Sequence, residues 1–361
     1  MTKLLIDKGA KNIFKSNNEK YFALEYCLNN SKTELAEYFL KKGDNINSLT
    51  FNGQKPMLYL IRKNDMANLK LLIQYGADIN IEEKTTKPTE GELKKIIPYT
   101  IESDTALTLA IKLGQISLSE MLIDNGANVN ALLSVGYTPL MVAIRAKDIA
   151  IIELLLKSGA NPDLTGKYQD TPLCTAIESH NLPLIKILVQ YKANVNLSGR
   201  NNRHPLLLAC MVRDINIFDY LIGMDAKLQY SKLEKTNHHS NSEVRSLIIQ
   251  KKESECIKLL QEGFDPNGTV WDSEGNEDDS LLVTAIRFEL EELVQEMIIA
   301  GAKVNESPCF SAFEVATQHN LTCSILMLIA AGANLNLPSA KNNLTENGRK
   351  DILSIIEKYQ K

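Results

Sequence analysis

One short phrase returns ten times along the chain, and its spacing leaves few folds open. It reads LLIDKGAKN at 4, FLKKGDNIN at 39, LLIQYGADIN at 71, MLIDNGANVN at 121 and LLLKSGANPD at 154. It continues as ILVQYKANVN at 187, YLIGMDAKLQ at 220, LLQEGFDPN at 259, MIIAGAKVN at 297 and LIAAGANLN at 328. Its glycine column falls at Gly9, Gly43, Gly76, Gly126, Gly159, Lys192, Asp225, Gly263, Gly301 and Gly332, with separations of 34, 33, 50, 33, 33, 33, 38, 38 and 31 residues. A unit this short cannot close a core by itself, so units must stack and bury their apolar faces on one another.

A second landmark keeps the same register. Counting back 21 residues from the glycine column reaches Phe22, Lys55, Thr105, Thr138, Thr171, His204, Ser242, Ser280 and Ser311. Several of these open Thr-Pro-Leu or a near variant: Lys55-Pro56-Met57, Thr105-Ala106-Leu107, Thr138-Pro139-Leu140, Thr171-Pro172-Leu173 and His204-Pro205-Leu206. Five residues further stand Ala110, Ala143, Ala176, Ala209, Ala285 and Ala316. A hydroxyl followed by Pro predicts a helix start, because the oxygen accepts an orphan N–H and Pro gives up a donor the first turn does not need. The Ala is small where neighbouring first helices approach closely. The apolar run that follows, Ile151-Ile152 and Leu154-Leu155-Leu156 in one unit, predicts a buried second helix. Glycine then ends that helix in the left-handed conformation, and Asn80, Asn130, Asn305 and Asn336, four residues on, fit the turn into the next hairpin.

With both landmarks at fixed offset, the chain resembles the ankyrin-repeat family along nearly its whole length. The resemblance implies a mainly α fold: an ankyrin-repeat α-solenoid of helix-turn-helix units joined by β-hairpins or turns, with about nine complete repeats and partial terminal units. A single row over 1–340 is expected, closed by a C-terminal capping helix at 341–361 that places Ile352, Leu353, Ile355, Ile356 and Tyr359 on one face. Insertions fall near 82–103, 227–241 and 268–279, and in solenoids these usually land on one face. The unit opening Ser242-Glu243-Val244-Arg245 lacks both Pro and Ala and is degenerate, Lys192 and Asp225 replace the glycine, and the phrase at 4–10 has no first helix before it, so either half a unit opens the chain as a lid or its partner helix is missing.

Composition narrows the function. Forty Lys and Arg against 44 Asp and Glu give a net charge of −4, without the basic excess of a nucleic-acid binder. With 44% hydrophobic and 23% charged residues the chain can bury a large core. Six scattered Cys with no CxxC pair suit packing in a reducing compartment. The start has no apolar run of signal-peptide length, and no stretch approaches the roughly 18 apolar residues of a membrane span, so a cytoplasmic location is expected.

No phosphate-loop, dinucleotide, zinc-protease, hydrolase or kinase phrase occurs. His238-His239 lacks a further ligand at metal spacing, and the acidic run Asp272–Asp279 does not match a calcium loop. Cys309 and Cys323 have no adjacent base motif. No catalytic residue, no metal and no cofactor is therefore expected.

What remains is surface chemistry. In the family, partners are held by hairpin tips just before the Thr-Pro position and by the exposed end of the first helix. Carried over by position, the helix set is Arg62 and Lys63, Lys112 and Leu113, Arg145, Glu178, Met211 and Val212, Arg287 and Phe288, Gln318 and His319. The tip set is Phe51, Val135 and Tyr137, Tyr168 and Asp170, Arg200 and Arg203, and Phe310. Arg62, Lys63, Lys112 and Arg145 predict a basic stripe suited to an acidic segment of a partner, and reversing all four charges is expected to leave unfolding nearly unchanged. Met211, Val212 and Phe288 with Tyr137, Tyr168 and Arg203 offer the aromatic, Met and Arg content of interface cores. The competing reading is a solvated surface that keeps the stack soluble.

The sequence thus points to a non-enzymatic protein–protein interaction scaffold that binds a protein partner through its concave face and hairpin tips, with no nucleic acid and no membrane span. The alternatives are an effector of an intracellular bacterium delivered into a host cell, an immunity or inhibitor protein that blocks a toxin, and, more remotely, an enzyme with its site in the inserted loops.

Overall fold

A computed structural model describes residues 24–28, 30, 32–41, 46–48, 55–84, 103–167, 170–200, 203–228, 240–267, 279–307 and 310–359. The opening half unit, most of each insertion, Phe51, Tyr168, His238, His239, Asp272 and Cys309 lie outside them. The helices group into two compact units, residues 1–172 and 173–361.

The first unit holds α1 (Thr33–Lys41), α2 (Pro56–Arg62), α3 (Met66–Gln74), α4 (Ala106–Lys112), α5 (Ile116–Asp124), α6 (Pro139–Ala146) and α7 (Ile149–Lys157). A two-residue ladder joins β1 (Glu83–Lys84) to β2 (Ser103–Asp104), antiparallel, at the root of the first insertion. First helices stack on first helices, α2 on α4 on α6, each paired with its own second helix.

The caps are those the sequence marks. Thr105 and Thr108 form a reciprocal capping box, Thr138 Oγ1 accepts from Met141 N at 3.3 Å, and Pro56 and Pro139 open their helices. Ala110 and Ala143 are fully buried between first helices. The second helices α3 and α7 are capped by Asp65 and Asp148.

The asparagine four residues past the glycine does more than shape a turn. Asn80 Nδ2 donates to Gly126 O at 3.2 Å while its Oδ1 accepts from Asn128 N at 2.8 Å, so one amide clamps the backbone of the following unit. Asn47, Asn130, Asn196, Asn267 and Asn305 make the same pair of bonds. These rungs set the spacing between units independently of core packing.

The second unit begins within α8 (Pro172–Glu178) and continues with α9 (Leu182–Gln190), α10 (Pro205–Met211), α11 (Ile215–Gly223), α12 (Asn241–Ile249), α13 (Glu253–Gln261), α14 (Leu281–Arg287), α15 (Glu291–Ile299), α16 (Ala312–Gln318), α17 (Thr322–Ala330), α18 (Pro338–Glu346) and α19 (Lys350–Tyr359). Lys192 and Asp225, in place of glycine, hold φ of 71° and 62°, a strain of about 1 kcal/mol each relative to Gly.

Three features differ from the sequence reading. The helix assigned to Ser242 is capped two residues earlier, at Ser240, whose Oγ accepts from Glu243 N at 3.2 Å. The segment read as one capping helix contains two, α18 and α19, because α18 buries only Ala340 and Leu344 and shows little apolar periodicity. The third difference is the row itself. α12 to α19 stack in chain order, α12 on α14 on α16 on α18, but α10 packs against α17, and α11 against α17 and α19.

This lateral contact explains α17, Cys-Ser-Ile-Leu-Met-Leu-Ile over 323–329, which is buried on every side. A helix apolar all round must be covered all round. Two residues after the cap of a second helix stand exposed Ala67, Ser117, Ala150 and Asn216, but buried Cys323. Five residues after it stand exposed Lys70, Glu120 and Lys186, but Leu326 with no exposed surface. Charged contacts rim the patch: Arg213 pairs with Glu291, and Lys358 Nζ and Tyr359 Oη both reach Asp219 Oδ1, at 2.7 and 3.1 Å. At the seam, Cys210 and Cys323 are buried, and burial pushes the Cys323 thiol up to about 12, an inert packing group.

Candidate protein-binding surface

In three repeats the residue before the helix cap meets the residue at the end of that same helix, eight positions on: Asp104 with Lys112, Tyr137 with Arg145 and Asp279 with Arg287. In the first unit Tyr137 lies under Arg145, with the guanidinium carbon 4.2 Å from the ring centre. Leu133 N donates to Tyr137 O at 2.9 Å and Gly136 N to Leu133 O at 2.7 Å, holding the tip that also carries half-buried Val135. Gly136 takes φ of 90° there, and a Cβ at this position would stand 2.3 Å from Lys167 Cβ of the following hairpin.

The predicted basic stripe is mostly a row of satisfied cations. Lys112, with a side chain only 10% exposed, bonds Asp104 at the base of β2. Burial pushes the Asp104 carboxyl above its usual range, opposed by Lys112, and burial pulls Lys112 below its usual value, opposed by Asp104. Arg62 lies 3.9 Å from Glu83, whose Oε1 accepts from Lys55 N at 3.0 Å. Lys63 sits over Tyr59 at 4.7 Å, and Leu113 caps α4, half-buried. Of the four residues in the expected basic stripe, Arg62 and Lys112 stand at helix ends that hairpin carboxylates reach.

In the second unit the same geometry recurs at Arg287, which bonds Asp279 at 2.9 Å and stacks on Phe310 at 4.6 Å. Phe310 is 48% exposed, so that aromatic face is open. Phe288 ends α14, half-buried, and His319 lies 3.5 Å from Glu289. Glu178 is exposed and Arg203 half-buried at a tip closed by Gly199 N donating to Arg203 O at 2.8 Å. Met211 and Val212 are half-buried at the end of α10. Because α10 packs on α17, this pair is not followed by Phe288 along one stacked row, as the sequence reading assumed. The carboxylates Glu83, Asp104 and Asp279 were missed, although the eight-residue spacing from Asp104 to Lys112 and from Asp279 to Arg287 was there to read.

Among the described residues no group of three or more His, Cys, Asp or Glu is placed to hold a metal ion, and no helix is long and apolar enough to cross a membrane. The five described cysteines are buried, and none of them is in a disulfide.

A family model of ankyrin repeats in three copies matches residues 90–166 and 150–231. The chain is 29% identical over 118 residues to an ankyrin repeat protein of Fowlpox virus (strain NVSL), covering 29% of this chain and 18% of that protein. It is 31% identical over 87 residues to an ankyrin repeat protein of Rickettsia bellii (strain RML369-C), covering 22% of this chain and 36% of that one.

Proposed function

Since this chain belongs to the ankyrin-repeat family, a family that generally mediates protein–protein interaction, we propose that it acts by binding a partner protein, without chemistry of its own, at the points within each unit where hairpin tips meet the ends of first helices. The observation that carries this reading is the pair of arginine–aromatic platforms, Arg145 on Tyr137 and Arg287 on Phe310. Tyr and Arg are the side chains that most often dominate interface energy, and each platform is held in place before any partner arrives.

With Lys112 and Arg62 matched by carboxylates, an acidic partner segment would have to share these cations with Asp104 and Glu83. The partner is better described as a surface that covers the aromatic rings and packs beside the guanidinium groups stacked on them. Whether that partner is a host protein, as for an effector, or a toxin held inactive, the same side chains would engage it.

The test replaces Tyr137, Arg145 and Phe310 together by Ala and leaves Arg287 to neutralise Asp279. Capture of the protein that the wild-type chain retains from a native lysate should fall more than about tenfold, with the unfolding midpoint nearly unmoved. Undiminished capture by the folded triple variant would remove this surface from the account.

A further inference from the structure

Where α10 and α11 lie against α17 and α19, the hairpin ends of two units distant in sequence come together and enclose a groove of about 600 Å3. Its floor is aliphatic: Leu206, Ile222, Leu228 and Ile329. That size and character match sites that hold an apolar group and orient it with a few polar groups at the lip. Lys227 is the one charged residue among those lining it. Asp225 lies 3.2 Å from the Lys227 ammonium, but the two side chains are 82% and 68% exposed, so the pair is worth little and Lys227 can exchange partners. The Tyr359 ring forms a fixed wall, because its hydroxyl donates within 3.2 Å of the Asp219 carbonyl oxygen.

A second observation points to a peptide backbone. Asn336 occupies the register at which six other asparagines each clamp a carbonyl and an N–H of a neighbouring turn. It lines the groove, it is exposed, and its side-chain amide has no partner among the described residues. An amide positioned to hold a C=O and an N–H two residues apart thus faces an apolar trough beside a single cation.

We propose that this groove binds an extended segment of a partner protein in which an aliphatic side chain stands next to a carboxylate. The aliphatic group fills the floor, the backbone bonds the Asn336 amide and the carboxylate meets Lys227. The inference does not rest on the arginine–aromatic platforms, which lie on other residues.

The full-length chain is panned against a displayed random heptapeptide library. Peptides carrying an aliphatic residue beside Asp or Glu should be enriched, and should bind Lys227→Glu at least about tenfold more weakly. Panning on Lys227→Glu should select basic residues at that place instead. Ala333→Trp, which fills the groove, should abolish selection. Because Ala333 is 8% exposed and its replacement could disturb the fold, the exposed Lys227 variant carries the decision. No enrichment, or enriched peptides that bind Lys227→Glu as well as wild type, would overturn the proposal.

Discussion

Leu326→Lys should unfold the second unit at markedly lower urea than wild type, with a loss above about 4 kcal/mol. The magnitude follows from two contributions. Removing a fully buried leucine forfeits roughly 1.5–3 kcal/mol of burial, and the lysine that replaces it must either lose its charge or force α10 away from α17. The comparison within the chain is Glu120→Lys, at the same register of α5, where the side chain is exposed. That change should cost less than about 0.5 kcal/mol. Circular dichroism during urea titration of both variants separates the alternatives. Were the repeats one regular row, position 326 would lie on the outer face and both substitutions would be mild. A Leu326→Lys midpoint equal to wild type would show that α10 does not cover α17.

Lys112→Ala is the second large effect, and it reverses what charge counting alone suggests. Asp104 has a side chain 7% exposed and would be left without its cation, a class of change that costs about 3–5 kcal/mol. The loss should appear in the first unit as weaker protection of α2 and α4 amides against hydrogen exchange. Its pH dependence has a defined sign. Asp104 already has its folded-state pKa raised above the ordinary 3.8 by burial, and without Lys112 that rise grows. The folded variant then holds more protons than the unfolded chain across the range above 3.8, so stability falls as pH rises through the folded value and recovers on acidification. Lys112→Ala should therefore approach wild type as the pH is lowered from neutral toward the ordinary carboxylate value of 3.8. Replacing both partners, Asp104→Asn with Lys112→Met, should recover most of the loss at neutral pH. A Lys112→Ala variant as stable as wild type at pH 7 would mean that the pair is not buried as described.

Both predictions mark where the sequence was informative and where it was not. The period of 33, the Thr-Pro starts and the buried Ala column specify local units, because each rests on contacts inside a repeat or with the next one. Periodicity carries no information about contacts between units far apart in the chain, so the packing of α10 on α17 stayed hidden. Two signals were nevertheless present. Cys323 and Leu326 stand at outward positions that carry polar or small residues in most other units, Ile257 being an exception, and Gln229 stands where the clamping asparagine belongs.

The binding surface was legible in the same partial way. Arg145 and Tyr137, and likewise Arg287, were picked out from the repeat positions. Their pairing was not, because each position was read by itself although the helix returns the chain to its own hairpin eight residues later. Lys112 looked like a surface cation for the same reason: Asp104, which pairs with it, stands just past the 82–103 insertion and was not read together with the helix end eight residues on.

Hydrogen exchange on the complex isolated by native capture tests the binding account most directly. Protection gained on the hairpin turns around Leu133–Tyr137 and Phe310, and on the last turns of α6 and α14, is the predicted result. Protection confined to the outward faces of the second helices, with those turns exchanging as in the free chain, would contradict it.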